Sequence, residues 1–399
     1  MSNFKDLDRL LDKFVADGLP GCSCVIAKKG EILYEKHTGY ADVENQVALT
    51  ENHIFRQASL TKIAMYTAAM MLFDQGKFRM TDPISEYFPE WNNTQKLVYK
   101  ADGSYKVVPV EKPITVKNIM NMTCGLPYQM MIPDQPLAHP VSSIMREAME
   151  PLSKQGYYTL RDQIKAMSQV PIAFEPGSSW LYGFASELTA GLLEVITGKP
   201  AELALKEMIF EPLGMDTTAN FICGDMQERL VKNYRLNPGK KLGDEGALTV
   251  IPPESEFLAV GPLGTVSGFS RVLTNCLDYT KMMQMLANGG VYNGVRLMGR
   301  KTIDLMRTNT VDPEILKRDF ANDYLCGYGY GYGVRTLMDK YQGHCNGSLG
   351  QFGWTGGSGT WAEADPSEGV SIVYMHNLQP NLEEYHHLRM RATAFGCLE

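Results

Sequence analysis

Phe55-Arg56-Gln57-Ala58-Ser59-Leu60-Thr61-Lys62 runs straight into Ile63-Ala64-Met65-Tyr66-Thr67-Ala68-Ala69-Met70-Met71-Leu72-Phe73, and this stretch decides how the chain is read. Its second part is apolar on every side and ends near Gly76, so it predicts a helix buried all round. Ser59 and Lys62 stand three apart at the start of that helix and therefore share a face. An amine one turn from a hydroxyl can take its proton, and a helix start puts the positive end of a dipole beside the attacking oxygen. The local sequence leaves a second reading open, because a serine that opens a helix is also an ordinary N-cap. Ser-x-x-Lys is a weak pattern by itself: Ser2-Asn3-Phe4-Lys5 matches it too, at a terminus where order is least assured.

With 399 residues the chain can bury a large core, as two domains or one large one. A 44% hydrophobic, 21% charged composition without low-complexity tracts is that of a globular protein, and a net charge of −7 argues against nucleic acid as a partner. The N-terminal segment reads as an amphipathic helix with Phe4, Leu7, Leu10, Leu11 and Phe14 on one face. Its acidic residues do not suit a secretory leader, and no later run is long or apolar enough to span a membrane. The expected location is therefore the cytoplasm. Eight scattered cysteines include no Cys-x-x-Cys pair and fit reduced core thiols. No metal site or cofactor is expected, and His386-His387 reads as an exposed or half-buried surface pair.

Cys22–Lys28 and Ile32–His37 alternate around Lys29-Gly30, which predicts a hairpin. Helices are expected at Ile114–Met122, Leu160–Met167, Glu187–Thr197, Leu203–Phe210, Asp278–Asn288 and Lys301–Thr308, with Pro- and Met-rich loops over 128–158. Strands return at Tyr328–Leu337, Thr360–Asp365 and Val370–His376, before a last helix near Leu382–Ala394. Strands at both ends and helices between them predict an α+β fold. The expected division is 1–75 with 260–399 as a sheet domain, and 76–259 as a mainly helical insertion.

In order and spacing, several stretches resemble the serine β-lactamase and penicillin-binding protein superfamily, in its class C β-lactamase-like branch. They are Gly39-Tyr-Ala-Asp42, Phe55–Lys62, Asp82-Pro83, Met122-Thr-Cys-Gly-Leu-Pro127, Pro176-Gly-Ser-Ser-Trp-Leu-Tyr182, Ile209-Phe-Glu-Pro-Leu-Gly-Met215 and Gly327–Gly333. The resemblance covers nearly the whole length. It implies a β-lactamase/transpeptidase-like fold, an antiparallel sheet flanked by terminal helices with a helical insertion, and an active site at their interface. It also implies Ser59 as nucleophile, Lys62 as a desolvated base of lowered pKa, and Tyr182 as the residue that returns the proton to the leaving group. The implied oxyanion donors are the backbone N–H groups of Ser59 and Gly357.

Two of the family's motifs depart from pattern. The usual Tyr-x-Asn has Phe184 at its third position, and the usual Lys-Thr-Gly or His-Thr-Gly is Trp354-Thr355-Gly356. A tryptophan offers an apolar wall and one N–H in place of a cation. This resembles the family's esterase members, with Trp354, Thr355, Gly356, Phe184 and Tyr128 lining the pocket. The expected activity is a carboxylesterase or transesterase for small apolar esters, its partner a small-molecule ester or amide. The alternatives are a weak β-lactamase, a D-amino-acid peptidase, and a silent relative that only binds. Trp354 and Phe184 also read as packing, Tyr182 as a core aromatic, and Tyr128 as a surface loop residue.

Overall fold

A computed structural model describes residues 3–100, 102–128, 140–155, 158–252, 272–322 and 324–398. Its centre is an eight-stranded antiparallel sheet built from both ends of the sequence. β1 (Gly21–Lys28), β2 (Glu31–Asp42) and β3 (Val47–Ala48) come from the N-terminal side. β4 (Tyr328–Tyr330), β5 (Arg335–Leu337), β6 (Phe352–Thr355), β7 (Trp361–Asp365) and β8 (Val370–Met375) come from the C-terminal side. The order is β4-β5-β6-β7-β8-β1-β2-β3, and the two halves join where Lys28 faces Val370 and Ser23 faces Met375.

Both faces of the sheet are covered, which is why β1 and β8 are apolar without alternation. On one face Val25, Ala362 and Val373 meet the helix α4 (Cys276–Ala287) through Met282, Met283 and Leu286. On the other, Cys24, Ile26, Trp361 and Tyr374 meet α1 (Lys5–Ala16) and α5 (Glu383–Gly396). The α1 stripe is Leu7, Leu11 and Phe14, as its spacing predicts. A buried ion cluster ties α5 to the sheet. Glu363 of β7 accepts hydrogen bonds from Arg335 of β5 (3.1 Å), Gln351 (2.9 Å) and Arg391 of α5 (3.1 Å).

The all-apolar helix α2 (Thr61–Asp74) is buried from Thr61 to Leu72 and lies against α3 (Ala185–Thr197), which Gly198 closes in a left-handed conformation. The α+β architecture expected from the resemblance is therefore present. Some elements differ from expectation. Tyr328–Leu337 is two strands, not one, because Gly331 and Gly333 make a turn between them, with the Gly331 N–H donating to the Val334 carbonyl. Gln95–Tyr99 and Tyr105–Pro109 form an unforeseen hairpin. Pro140–Gln155, within the stretch read as loop, is a helix with Pro at its first position, where no N–H is needed; residues 129–139, 156 and 157 of that stretch lie outside the described residues. Tyr234–Leu236, assigned above to the insertion, pairs with Leu378–Gln379 on one side and with Leu248–Val250 on the other, and these strands pack with α1 and α5.

Candidate active site

Ser59 sits in a short 3-10 turn, Ala58–Leu60, that leads into α2. It does not cap the helix: the N-cap position is Leu60, with no side-chain cap bond, so the N-cap reading is set aside. Ala58 adopts a φ of 46°, a left-handed conformation that costs an alanine on the order of 1 kcal/mol or more. The surroundings hold that turn in place. Phe55–Arg56 pairs with Leu273–Thr274, the Gln57 N–H donates to the Val272 carbonyl (3.0 Å), the Val272 N–H donates to Thr61 Oγ1 (3.0 Å), and the Tyr279 hydroxyl donates to the Leu60 carbonyl (2.7 Å).

Lys62 is 1% exposed, and its Nζ donates to Ser59 Oγ at 3.4 Å. The ammonium lies 5.1 Å from the Tyr182 ring centre and 5.7 Å from that of Tyr128. Burial works to lower its pKa, yet Tyr128, Tyr182 and Glu187 together push it up. This corrects the expectation of a lowered pKa. The Tyr128 phenol is itself pushed up by burial, and Glu187 is the one carboxyl among the three groups that raise Lys62. Glu187, on α3, is 1% exposed; burial raises its carboxyl while Lys62 pulls it down, and Ser186 Oγ donates to it at 2.7 Å. Glu187 was missed in the sequence because a lone acid in the first turn of a helix ordinarily serves the helix dipole.

Tyr128, Tyr182 and Phe184 come together because two segments form a bridge between Pro127 and Gly183, with the Phe184 N–H donating to the Leu126 carbonyl (3.0 Å). Tyr182 is half-buried and its ring stacks on Trp354 (5.4 Å, 29°). Trp354 Nε1–H donates to the Tyr182 hydroxyl at 3.1 Å, so the tryptophan is more than packing: it orients the phenol. Tyr128 is half-buried, with its ring edge-on to Phe184 (5.0 Å, 77°) and to Tyr182 (5.8 Å, 71°). Phe184 is buried, at 6% exposure, and backs Tyr128 rather than facing open space.

Trp354 and Thr355 end β6, whose far end meets the Ser59 turn. A Cβ on Gly356 would stand 2.3 Å from the Gln57 carbonyl oxygen, so only glycine allows the strand so close to the nucleophile turn. Gly357 is exposed and open space surrounds it. Among the described residues, no acceptor bonds the backbone N–H of Ser59 or of Gly357. Thr355 Oγ1 donates to Glu383 Oε2 at 3.0 Å. No group of three metal-ligating side chains occurs among the described residues.

The sequence pattern of the Beta-lactamase family matches residues 7–395. The chain belongs to the beta-lactamase family. Relatives in that family carry different activities. Esterase EstB of Burkholderia gladioli is 28% identical over 64% of this chain and 60% of its own. A putative D-alanyl-D-alanine carboxypeptidase of Escherichia coli K12 is 23% identical over 94% of this chain and 82% of its own. Among solved structures, EstCE1, a hydrolase with promiscuous acyltransferase activity, superposes with a TM-score of 0.77 at 21% identity over 98% of each chain, which establishes the shared fold.

The beta-lactamase fold thus brings together Ser59, Lys62, Tyr182, Tyr128, Trp354 and Gly356, all legible beforehand. The His386-His387 pair departs from expectation: both are fully buried, not exposed or half-buried. They face inward from α5 beside a third buried histidine, His376, whose ring lies 5.0 Å from that of His386. No helix among the described residues is long and apolar enough to cross a membrane.

Proposed function

We propose that this protein is a serine esterase, with alcohols competing with water as acyl acceptors, acting on small uncharged esters through an acyl-enzyme on Ser59. The observation that carries this reading is the Trp354 N–H on the Tyr182 hydroxyl. Where a carboxylate-binding cation would stand, the wall is aromatic: Tyr182 stacked on Trp354, with Tyr128 edge-on to Tyr182. Such a wall favours an apolar acyl or alcohol group and leaves a charged peptide terminus unpaired.

In this mechanism Ser59 Oγ attacks the ester carbonyl, and its proton passes into the coupled set of Lys62, Tyr182 and Glu187. That set, rather than a neutral Lys62 alone, is the base, because Lys62 holds its proton at rest. The carbonyl oxygen gathers charge against the N–H groups of Ser59 and Gly357, which have no acceptor among the described residues. Collapse of the tetrahedral species expels the alkoxide, which takes the proton back through Tyr182. Water or an alcohol then repeats the sequence on the acyl-enzyme.

The test is hydrolysis of p-nitrophenyl butyrate by the wild type and by Ser59→Ala. Turnover that vanishes in the variant is the expected result. Equal rates in both, or none in the wild type, would overturn the esterase reading; Ser59 labelling by a penicillin would then point to β-lactamase or D-amino-acid peptidase chemistry.

A further inference from the structure

Three of the four carbonyls in the turn after β6, those of Gly356, Ser358 and Gly359, are held by donors from outside or across the turn. The Gly356 carbonyl accepts from Asn381 Nδ2 (3.2 Å) and from the Gly359 N–H (2.9 Å), and the Ser358 carbonyl accepts from the Leu378 N–H (2.8 Å). The Gly359 carbonyl faces His387 Nε2 at 3.1 Å. Gly359 has a φ of 105°, and a Cβ there would stand 1.9 Å from the His376 imidazole, so the turn has no room to relax toward that side. The N–H of Gly357, in the middle of this turn, has no acceptor among the described residues.

His387 has a defined tautomer. Burial pushes its pKa well below the usual range, so the ring is neutral. Its Nε2 faces a carbonyl, which only accepts, so Nε2 bears the hydrogen and Nδ1 must accept. Two hydroxyls reach Nδ1: Thr355 Oγ1 at 3.3 Å and Tyr324 at 3.4 Å. The single Thr355 hydrogen is directed to the Glu383 carboxylate, so Tyr324 donates to Nδ1. Trp361 stacks on the ring (6.1 Å, 25°) and fixes its plane. One side chain of α5 thus grips the turn at Gly359 and touches the strand at Thr355.

We propose that His387 is a positioning residue of the oxyanion site: it holds the 356–359 turn so that the Gly357 N–H points at the oxygen that becomes charged. This rests on the acyl-transfer reading of Ser59. A donor of that kind is worth about 100- to 1,000-fold in rate, and a misplacement of about 1 Å forfeits about 100-fold. His387 has no contact with Ser59, Lys62 or Tyr182, and it meets the pocket wall only at Thr355 Oγ1.

The experiment compares His387→Ala, His387→Gln and His387→Asn. The Gln amide nitrogen can occupy the place of Nε2 and donate to Gly359; the Asn amide reaches only the place of Nδ1. One readout is the rate ratio between a p-nitrophenyl ester and its thiono analogue, whose sulfur is a poor partner for an N–H. The other is the rate at which an alkyl fluorophosphonate labels Ser59, which needs no ester turnover. His387→Ala is expected to slow ester turnover and labelling by about 10- to 100-fold, to narrow the ester-to-thionoester ratio by about five-fold or more, and to change KM little. His387→Gln is expected to recover most of this and His387→Asn none. Ester and thionoester falling together, or Gln and Asn behaving alike, would overturn the proposal, and thermal unfolding of each variant separates a lost fold from a displaced turn. A wild type that labels but turns over no ester would overturn the esterase reading alone, with the labelling series still deciding the role of His387. A wild type that neither labels nor turns over would overturn both.

Discussion

On the helix side of the site, Ser59 and Lys62 are fixed by the interior: α2 has no polar face, and its first turn is pinned by neighbours such as Val272 and Tyr279. On the strand side, the turn after β6 is fixed by polar side chains of one distant segment, Asn381, Glu383 and His387. The helix side is a matter of packing, with each buried Leu, Met or Ile contributing about 1.5–3 kcal/mol without direction. The strand side is a matter of hydrogen bonds, weaker in sum but directional. A nucleophile tolerates the first kind of support because its helix carries the geometry. A lone backbone N–H needs the second, because a turn has no geometry of its own.

The largest expected effect lies on the helix side. Ser59→Ala should lower p-nitrophenyl ester hydrolysis by about 1,000-fold or more without altering the thermal midpoint. Retained activity in a folded variant would end the comparison, since the helix side would then not carry the chemistry.

Next comes the charge set. Glu187→Gln removes the carboxylate that keeps Lys62 protonated, so burial regains control and the Lys62 pKa falls. The acid limb of kcat/KM should then move to lower pH by about 1 unit, while stability drops by about 3 kcal/mol because a buried ammonium loses its partner. A limb that stays put would show that Glu187 is not the charge Lys62 responds to.

The join between the two sides is the Trp354–Tyr182 bond. Trp354→Phe keeps a ring and deletes the N–H, so kcat should fall about ten-fold with KM nearly constant. A rise in KM at unchanged kcat would instead make Trp354 only a wall.

The last prediction tests the strand side by stability rather than by activity, and it concerns His376, His386 and His387. Burial pushes all three below the usual histidine range, His386 to about 4. Unfolded histidines take protons below about pH 6.5 and these folded ones do not, so the unfolded state binds more protons as pH falls. Stability is therefore full above about pH 6.5 and declines below it, by about 1.4 kcal/mol per pH unit per residue, or about 4 for the three. Urea unfolding at a series of pH values should show that slope down to about pH 4, and His387→Gln should reduce it by about a third. A flat profile would mean the imidazoles are solvated.

These contrasts explain what the sequence made legible. Ser59 and Lys62 are neighbours on one helix, and the apolar run after them leaves only a buried helix as an answer. The same holds for the stripe of α1 and for Leu160–Met167, whose spacing alone suffices. Tyr182 and Trp354 were legible as motif positions, while their mutual hydrogen bond, across 172 residues, was not. The inward face of α5 resisted reading for a physical reason: it is His386, His387, Met390, Arg391 and Ala394, polar groups whose partners Glu363, Tyr324 and Gly359 become visible only in the folded state. Read as hydropathy, that face looks like a surface. Lys62 was misjudged the same way, since burial alone lowers a lysine and the opposing Glu187 lies on another helix.

The junction of β1 with β8 bears on how the protein is made. Lys28 waits for Val370, about 340 residues later in the chain. At roughly 5–20 residues per second of synthesis, the first hairpin stands with one unpaired, apolar edge for about 17 to 70 s. Such an edge recruits any strand offered to it. The strand that closes that edge is thus among the last parts of the sheet to be made, and the sheet is completed only when both ends of the chain are present.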